Sequence, residues 1–465
     1  MLMLTDEAFG DSPPHRPDGS GPRPADSGPH DQRLLLWRRV RAWAVPHRMI
    51  ETATRRRAAG DWAGACAAAD VDVSFGLRAV RHRWGEALAS RLRADLRSLA
   101  PDLLRWHFPR TGPDGLLRSG TAVTLARYPA GTGRPVHLLA GTPPASVRAG
   151  QRLTLWLGDR PGPDCPAPDR RFRLDLHRHL WDAGRSGELR ERAGMPPPAE
   201  PPPWHHLLGS ESYAYGRWGA EAALLLRAEG RGDAGRVLVR LGRSRRLLLH
   251  VRDGAVTAAD QVRARACPGV PTLPDAAVRV PPDVELLRAG LLTPDALHPL
   301  VAAALAPDTP HPLVAPDAPG PVPRRPPGSE VLRIACQGAR HRLGRTRVDG
   351  PLVALDHTQE ELEREGLLVL LGGPPLPCLA ALREAERSLD AHPEVRELLR
   401  YGDVAGATER VTQLFGPRHE LPEGELRTAL EEAGRRRLRH DLHRTGLSPA
   451  QRVALPPAPG RRPAP

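Results

Sequence analysis

A chain of 465 residues is long enough for about two or three domains and a sizeable core. It has no Lys and no Asn, and Ile only at Ile50 and Ile334, while Arg, Ala, Gly and Pro abound, which is the pattern of GC-rich coding. Absent Lys excludes the usual P-loop NTPase, protein-kinase and pyridoxal-phosphate chemistries, and because the formal charge of +13 rests on Arg alone, coding bias explains it before any anionic ligand does.

Residues 1–32 are rich in Pro, Gly, Asp and Ser, carry no signal-peptide pattern and read as a disordered tail. Residues 33–110 read as a basic helical unit. Leu34–Ala44 and Met49–Ala59 are helices parted by Pro46, and Asp61–Ala69 is a short Ala-rich one. Leu77, Val80, Trp84, Leu88, Leu92, Leu96 and Leu99 recur at three- and four-residue steps, which predicts one apolar stripe along one helix. Pro101 then opens the next helix.

In residues 111–306, an antiparallel α+β unit, the period falls to two. Leu153, Leu155 and Leu157, then Phe172, Leu174 and Leu176, then Val237, Val239 and Leu241, predict half-buried strands with an Arg-rich opposite face. A turn at Gly242–Arg245 leads into a further strand, Arg246–Val251. Arg217–Ala228, Asp283–Arg288 and Pro294–Leu305 read as helices, the last capped by Thr293.

Residues 307–328 read as a Pro-rich linker. Residues 329–447 read as a hairpin plus helical unit. A hairpin runs from Val331 to Leu355 with Asp349-Gly350 as its turn, and Thr358 with Glu361 forms a capping box that opens a helix. Further helices fall at Pro377–Leu389, Glu394–Tyr401, Val404–Phe415 and Glu423–Thr445, and residues 448–465 read as a second disordered tail. The fold class is therefore α+β, with an N-terminal helical unit, a central antiparallel sheet with helices, and a C-terminal β-hairpin plus helices.

Cys66, Cys165, Cys267, Cys336 and Cys378 lie far apart with no CxxC pair, which argues against a disulfide framework or zinc knuckle and for reduced thiols in a cytoplasm. Leu34–Leu36 is cut by Arg38 and Arg39, too soon for a membrane span. His177 and His179, two apart on an expected strand, would face one side and reach one metal ion, with Cys165, His205 and His206 as further ligands. Arg171 and Arg173 on that face would repel a cation, so a solvated polar face competes with the metal reading. Asp70-Val71-Asp72 resembles the DxD of metal-dependent sugar transferases, but it sits at a turn where Asp is favoured anyway.

No GxSxG or HExxH occurs, and Gly131-Thr132-Gly133 and Gly372-Gly373 lack a dinucleotide-binding continuation, so no cofactor is expected. Asp356-His357-Thr358 with Glu360 and Glu361 places a His beside carboxylates, as a general base needs, although capping explains Thr358 and Glu361. Residues 33–127 hold 18 Arg against 8 Asp and Glu, and Arg55, Arg56, Arg57, Arg81, Arg83, Arg91, Arg93 and Arg97 among them are the candidate phosphate contacts. A second cluster, Arg435-Arg436-Arg437 with Arg439 and Arg444, follows Glu431 and Glu432 as dipole-matched helix ends do.

The phrases AGDWAGACAAADVDV, LAPDLLRWHFPR, LTPDALHPLVAAAL and LVALDHTQEELERE resemble an uncharacterised actinobacterial-type family of unknown function. The resemblance, over most of residues 45–390, implies a GC-rich bacterial cytoplasm and brings no activity with it. The leading expectation is a non-enzymatic protein-interaction or adaptor protein with an unidentified protein partner and no membrane contact. Nucleic-acid binding through residues 33–127 is the first alternative, and an enzyme with a metal site at His177/His179 the second.

Overall fold

The computed structural model describes residues 4–5, 29–131, 133–142, 151–161, 167–198, 200–208, 212–242, 244–263, 267–309, 311, 332–336, 339–345, 352–415 and 420–444. The fold is α+β and divides into two compact units, Met1–Gly328 and Ser329–Pro465. The division falls at the end of the Pro-rich stretch, most of which, like the tail 448–465, lies outside the described residues.

The first unit opens with β1 (Leu4–Thr5), α1 (Pro29–Trp43), α2 (His47–Ala58), α3 (Trp62–Ala68), β2 (Val71–Val73), α4 (Leu77–Trp84), α5 (Glu86–Ser98) and α6 (Pro101–His107). Then come β3 (Arg110–Thr111), β4 (Ala122–Tyr128), β5 (Val136–Gly141), β6 (Leu153–Gly158), α7 (Leu189–Arg192) and α8 (Trp218–Ala228). The unit closes with β7 (Gly235–Arg240), β8 (Arg246–Arg252), β9 (Ala255–Val262), α9 (Asp275–Val278), α10 (Pro282–Arg288) and α11 (Pro299–Leu305). Both β1, paired in parallel with β3, and the start of α1 fall inside the span that composition reads as a tail.

The apolar stripe from Leu77 to Leu99 is carried by two helices rather than one. Gly85, at φ 86 and ψ 168, ends α4 and opens α5 in a backbone conformation that glycine alone adopts without strain. These helices face a sheet of order β2-β6-β5-β4, in which β2 runs parallel to β6 and the other neighbours are antiparallel. Ile50, Leu92, Leu96 and Leu103 from the helices share one core with Leu125, Leu138, Leu153 and Leu155 from the sheet, and Val284 and Val301 from α10 and α11 join them. Residue 110 therefore does not separate two cores.

The second sheet, β7-β8-β9, is an antiparallel meander covered by α8, with Trp218, Leu225 and Leu226 packed on Val237, Val239, Leu247 and Leu249. Here the period-two reading holds. At Gly219 the helix passes so close to the β8–β9 turn that a Cβ would stand 2.3 Å from the Gly254 carbonyl oxygen.

Two expected elements differ. Phe172–Leu176 is not a strand: Leu176 and His177 donate their N–H groups back to the Arg173 and Leu174 carbonyls, and Arg173 grips Asp175 through two bonds of 2.8 Å. A single bridge from Arg173 to Thr124 is all that joins this segment to β4, and its alternating pattern comes from Phe172 and Leu174 dipping into the core. Pro294–Leu305 is broken because Pro299 has no N–H; a short 3-10 turn covers Pro294–Ala296, and His298, not Thr293, caps α11 by accepting the Leu300 N–H.

The second unit contains β10 (Leu332–Cys336), β11 (Ala339–Arg345), β12 (Leu352–Ala354), α12 (Gln359–Leu370), α13 (Pro377–Arg387), α14 (Pro393–Arg400), α15 (Val404–Phe415) and α16 (Glu425–Arg444). The expected hairpin is a three-stranded antiparallel sheet, and the Asp349-Gly350 turn lies outside the described residues. The capping box is formed: Thr358 accepts the Glu361 N–H while the Glu361 carboxylate accepts the Thr358 N–H at 2.8 Å. α13 packs across all three strands, and α14, α15 and α16 enclose a separate small core of Val395, Ala407, Leu414 and Leu426. No helix among the described residues is long and apolar enough to cross a membrane.

Candidate functional site

In the first unit several charged groups that chemistry could use are engaged in structural contacts. Arg152 bonds to Asp70 and Asp72 at 2.8 Å each, so both carboxylates of the DxD, one just before β2 and one within it, hold the residue that leads into β6. Arg41, fully buried over the Trp106 ring, makes a bidentate pair with Asp283 at 2.7 and 2.8 Å. Asp102 and His298 are buried 3.0 Å apart, but the other nitrogen of His298 caps α11, which leaves the imidazole no free position for proton transfer.

His177 and His179 do come together, with ring centroids 5.8 Å apart, but at the start of a 3-10 helix (Arg178–Leu180), not on a strand. Nδ1 of His177 is held by the Arg173 carbonyl at 3.1 Å, and its Nε2 lies 3.1 Å from Glu221 Oε2, off the line of a good hydrogen bond. Arg192 also donates to Glu221, at 2.7 Å. Burial would raise the Glu221 pKa, yet His177 and Arg192 outweigh it and hold the carboxyl at about 2. Burial, then His177 and Arg192, push the His179 imidazole well below its ordinary value. His205 packs edge-on to Tyr215 at 4.9 Å, His206 bonds to the Pro203 carbonyl at 2.8 Å, and Cys165 lies outside the described residues.

Five of the eight candidate phosphate contacts already face acids. Arg55 pairs with Glu51 and Arg56 with Asp61 at 3.1 Å, Arg83 with Asp159 at 3.2 Å, and Arg81 and Arg93 stand 3.8 Å from Glu86. No protein-family model, curated protein or solved structure matches this chain.

The second unit assembles what spacing did not reveal. Cys336 ends β10 and His341 lies on β11, where the register sets His341 opposite Ile334 and so diagonal to Cys336 on the same face of the hairpin. His357 comes after β12 and immediately precedes the Thr358 cap of α12, and Cys378 is the second residue of α13. Cys336, His341 and Cys378 bring their donor atoms within 4.8 Å of one another, the one such group of His, Cys, Asp or Glu among the described residues. His357 Nε2 stands beside that trio without belonging to it, 2.6 Å from His341 Nδ1 and 3.3 Å from Cys378 Sγ, and the two sulfurs are 3.5 Å apart. Both thiols are buried, and burial with the neighbouring Cys336 pushes the Cys378 thiol up. Behind His357, Nδ1 faces the Glu361 carboxylate at 3.8 Å. Two thiols and two imidazoles are the donor types that hold a borderline metal ion.

The same unit carries an unusual surface. Leu367, Leu368, Leu370 and Leu371, at the end of α12, are 61, 49, 82 and 84% exposed, and Glu360, Glu361 and Glu363 precede them on that helix.

Proposed function

We propose that the chain works as a protein-interaction protein and that α12 of its second unit is the contact element. The exposed leucines carry this reading: within five residues they hold four of the six large apolar side chains left exposed among the described residues. Such a patch marks a contact site more than a random surface does. The Glu residues of α12 give the partner its chemistry, an apolar groove rimmed by basic groups. Catalysis in the first unit has less support, because Asp70, Asp72, Asp102 and His298 are engaged in ion pairs and a helix cap. Nucleic-acid binding through Arg55–Arg57 has less as well, given the carboxylates that face Arg55 and Arg56.

The test compares the intact chain with a Leu368→Ser, Leu370→Ser, Leu371→Ser variant after in-cell cross-linking. One protein with a basic-rimmed groove, cross-linked to α12 and lost in the variant, is the expected result. A homodimer broken by the same substitutions, or identical cross-links from both chains, would overturn the reading.

A further inference from the structure

We propose that Cys336, His341, His357 and Cys378 bind one Zn²⁺ ion, and that this ion is the structural centre of the second unit. The inference is independent of the partner reading. It rests first on geometry. Zinc bonds of about 2.3 Å to sulfur and 2.0–2.1 Å to nitrogen, arranged tetrahedrally, separate two sulfurs by roughly 3.8 Å and two nitrogens by roughly 3.3 Å. The sulfurs here stand 3.5 Å apart and the nearest imidazole nitrogens 2.6 Å apart. Those two pairs need to open by about 0.3 and 0.7 Å, and His357 must swing in to join the trio of Cys336, His341 and Cys378, for the ion to seat.

The second ground is topology. Four donors arrive from four successive pieces of chain: the end of β10, the body of β11, the turn after β12 and the first turn of α13. One ion would therefore tie the whole sheet to both of its flanking helices. The third ground is what surrounds the donors. The core beside them consists of Cys336, Leu343, Ala354, Leu376 and Cys378, so two of its five buried members are thiols. A core this small needs a staple, and a structural metal is a common one.

Charge balance fits burial. Zn²⁺ displaces the two thiol protons to solvent, and two thiolates with two neutral imidazoles leave the centre uncharged in an apolar surround. All four positions are filled by protein, as in structural rather than catalytic zinc sites. Glu361 is a positioning residue. Its carboxylate closes the capping box and lies 3.8 Å from the far nitrogen of His357, so the turn of the ring that seats the ion would have to shorten this contact into the hydrogen bond that orients a metal-bound imidazole.

The intact, untagged chain, purified under reducing conditions, is the material for the test. Elemental analysis should find one zinc per chain, and Co²⁺ in its place should give the visible absorption of a tetrahedral thiolate site. Cys378→Ser and His357→Ala should abolish or strongly weaken both signals, whereas Cys267→Ser should leave them unchanged. Because the first two variants could lose zinc merely by unfolding, Glu361→Gln, which keeps a capping side chain, supplies the independent arm. It should retain the circular dichroism of the parent and weaken zinc by about tenfold or more in competition with a chelator. Metal-free, folded protein whose stability ignores added zinc would overturn the proposal. So would a Cys336–Cys378 disulfide in the reduced preparation, or a Glu361→Gln variant with unchanged zinc affinity.

Discussion

Glu221 shows how a buried charge is made tolerable, and it has a measurable consequence. Its carboxyl sits in the core with Arg192 and His177 against it, at about 2 instead of the ordinary 4.5. A lowered folded-state value adds stability that is fully present above the unfolded value of about 4.5 and disappears as pH falls through about 2. The shift corresponds to about 3 kcal/mol at neutral pH. Urea unfolding of the first unit should therefore lose stability between about pH 4.5 and pH 2, and Glu221→Gln should flatten that slope. An unchanged slope in the variant would assign acid sensitivity elsewhere.

Residue by residue, the sequence discloses local chemistry and conceals convergence. The Thr358–Glu361 cap was legible because its partners are three residues apart and bond to each other. The metal donors were not. Cys336 and His341 are separated by a strand turn, and His357 and Cys378 arrive only after a third strand and a helix. A Cys and a His on either side of a hairpin turn were the available signal, but they lack the CxxC spacing that marks a zinc knuckle.

At the level of elements, periodicity located helices well and their ends poorly. The stripe from Leu77 to Leu99 keeps its phase across Gly85 because one face of both helices meets the same core, so hydrophobicity alone conceals the break. Gly85→Ala should cost about 1–3 kcal/mol, since φ 86 with ψ 168 is open to glycine and strained for alanine. Equilibrium denaturation would read this as a lower midpoint with an unchanged slope. A neutral or stabilising effect would mean that α4 and α5 can fuse. Phe172–Leu176 failed in the opposite sense: a period of two arose from side chains entering the core off a chain of turns.

For the whole molecule, two units with separate cores predict two unfolding events. Only the transition of residues 329–465 should move when a strong chelator is added, and it should fall. Calorimetry with and without chelator reads both at once. One cooperative transition that shifts as a body would show that the units unfold together. The α+β class was visible from composition and pattern. The core that residues 33–110 share with residues 111–306 was not, because it depends on β2 pairing with β6 across about eighty intervening residues.

The tryptophans give these experiments an optical asymmetry. All nine lie at or before Trp218, and Trp37, Trp106, Trp181 and Trp218 are sealed in the first unit. Indole emission is therefore blind to residues 329–465, whereas far-ultraviolet dichroism sees the helices of both units. A melt followed by the two signals side by side separates the halves of the chain without cutting it, and whatever dichroism reports that fluorescence does not belongs to the half with the cysteine–histidine cluster.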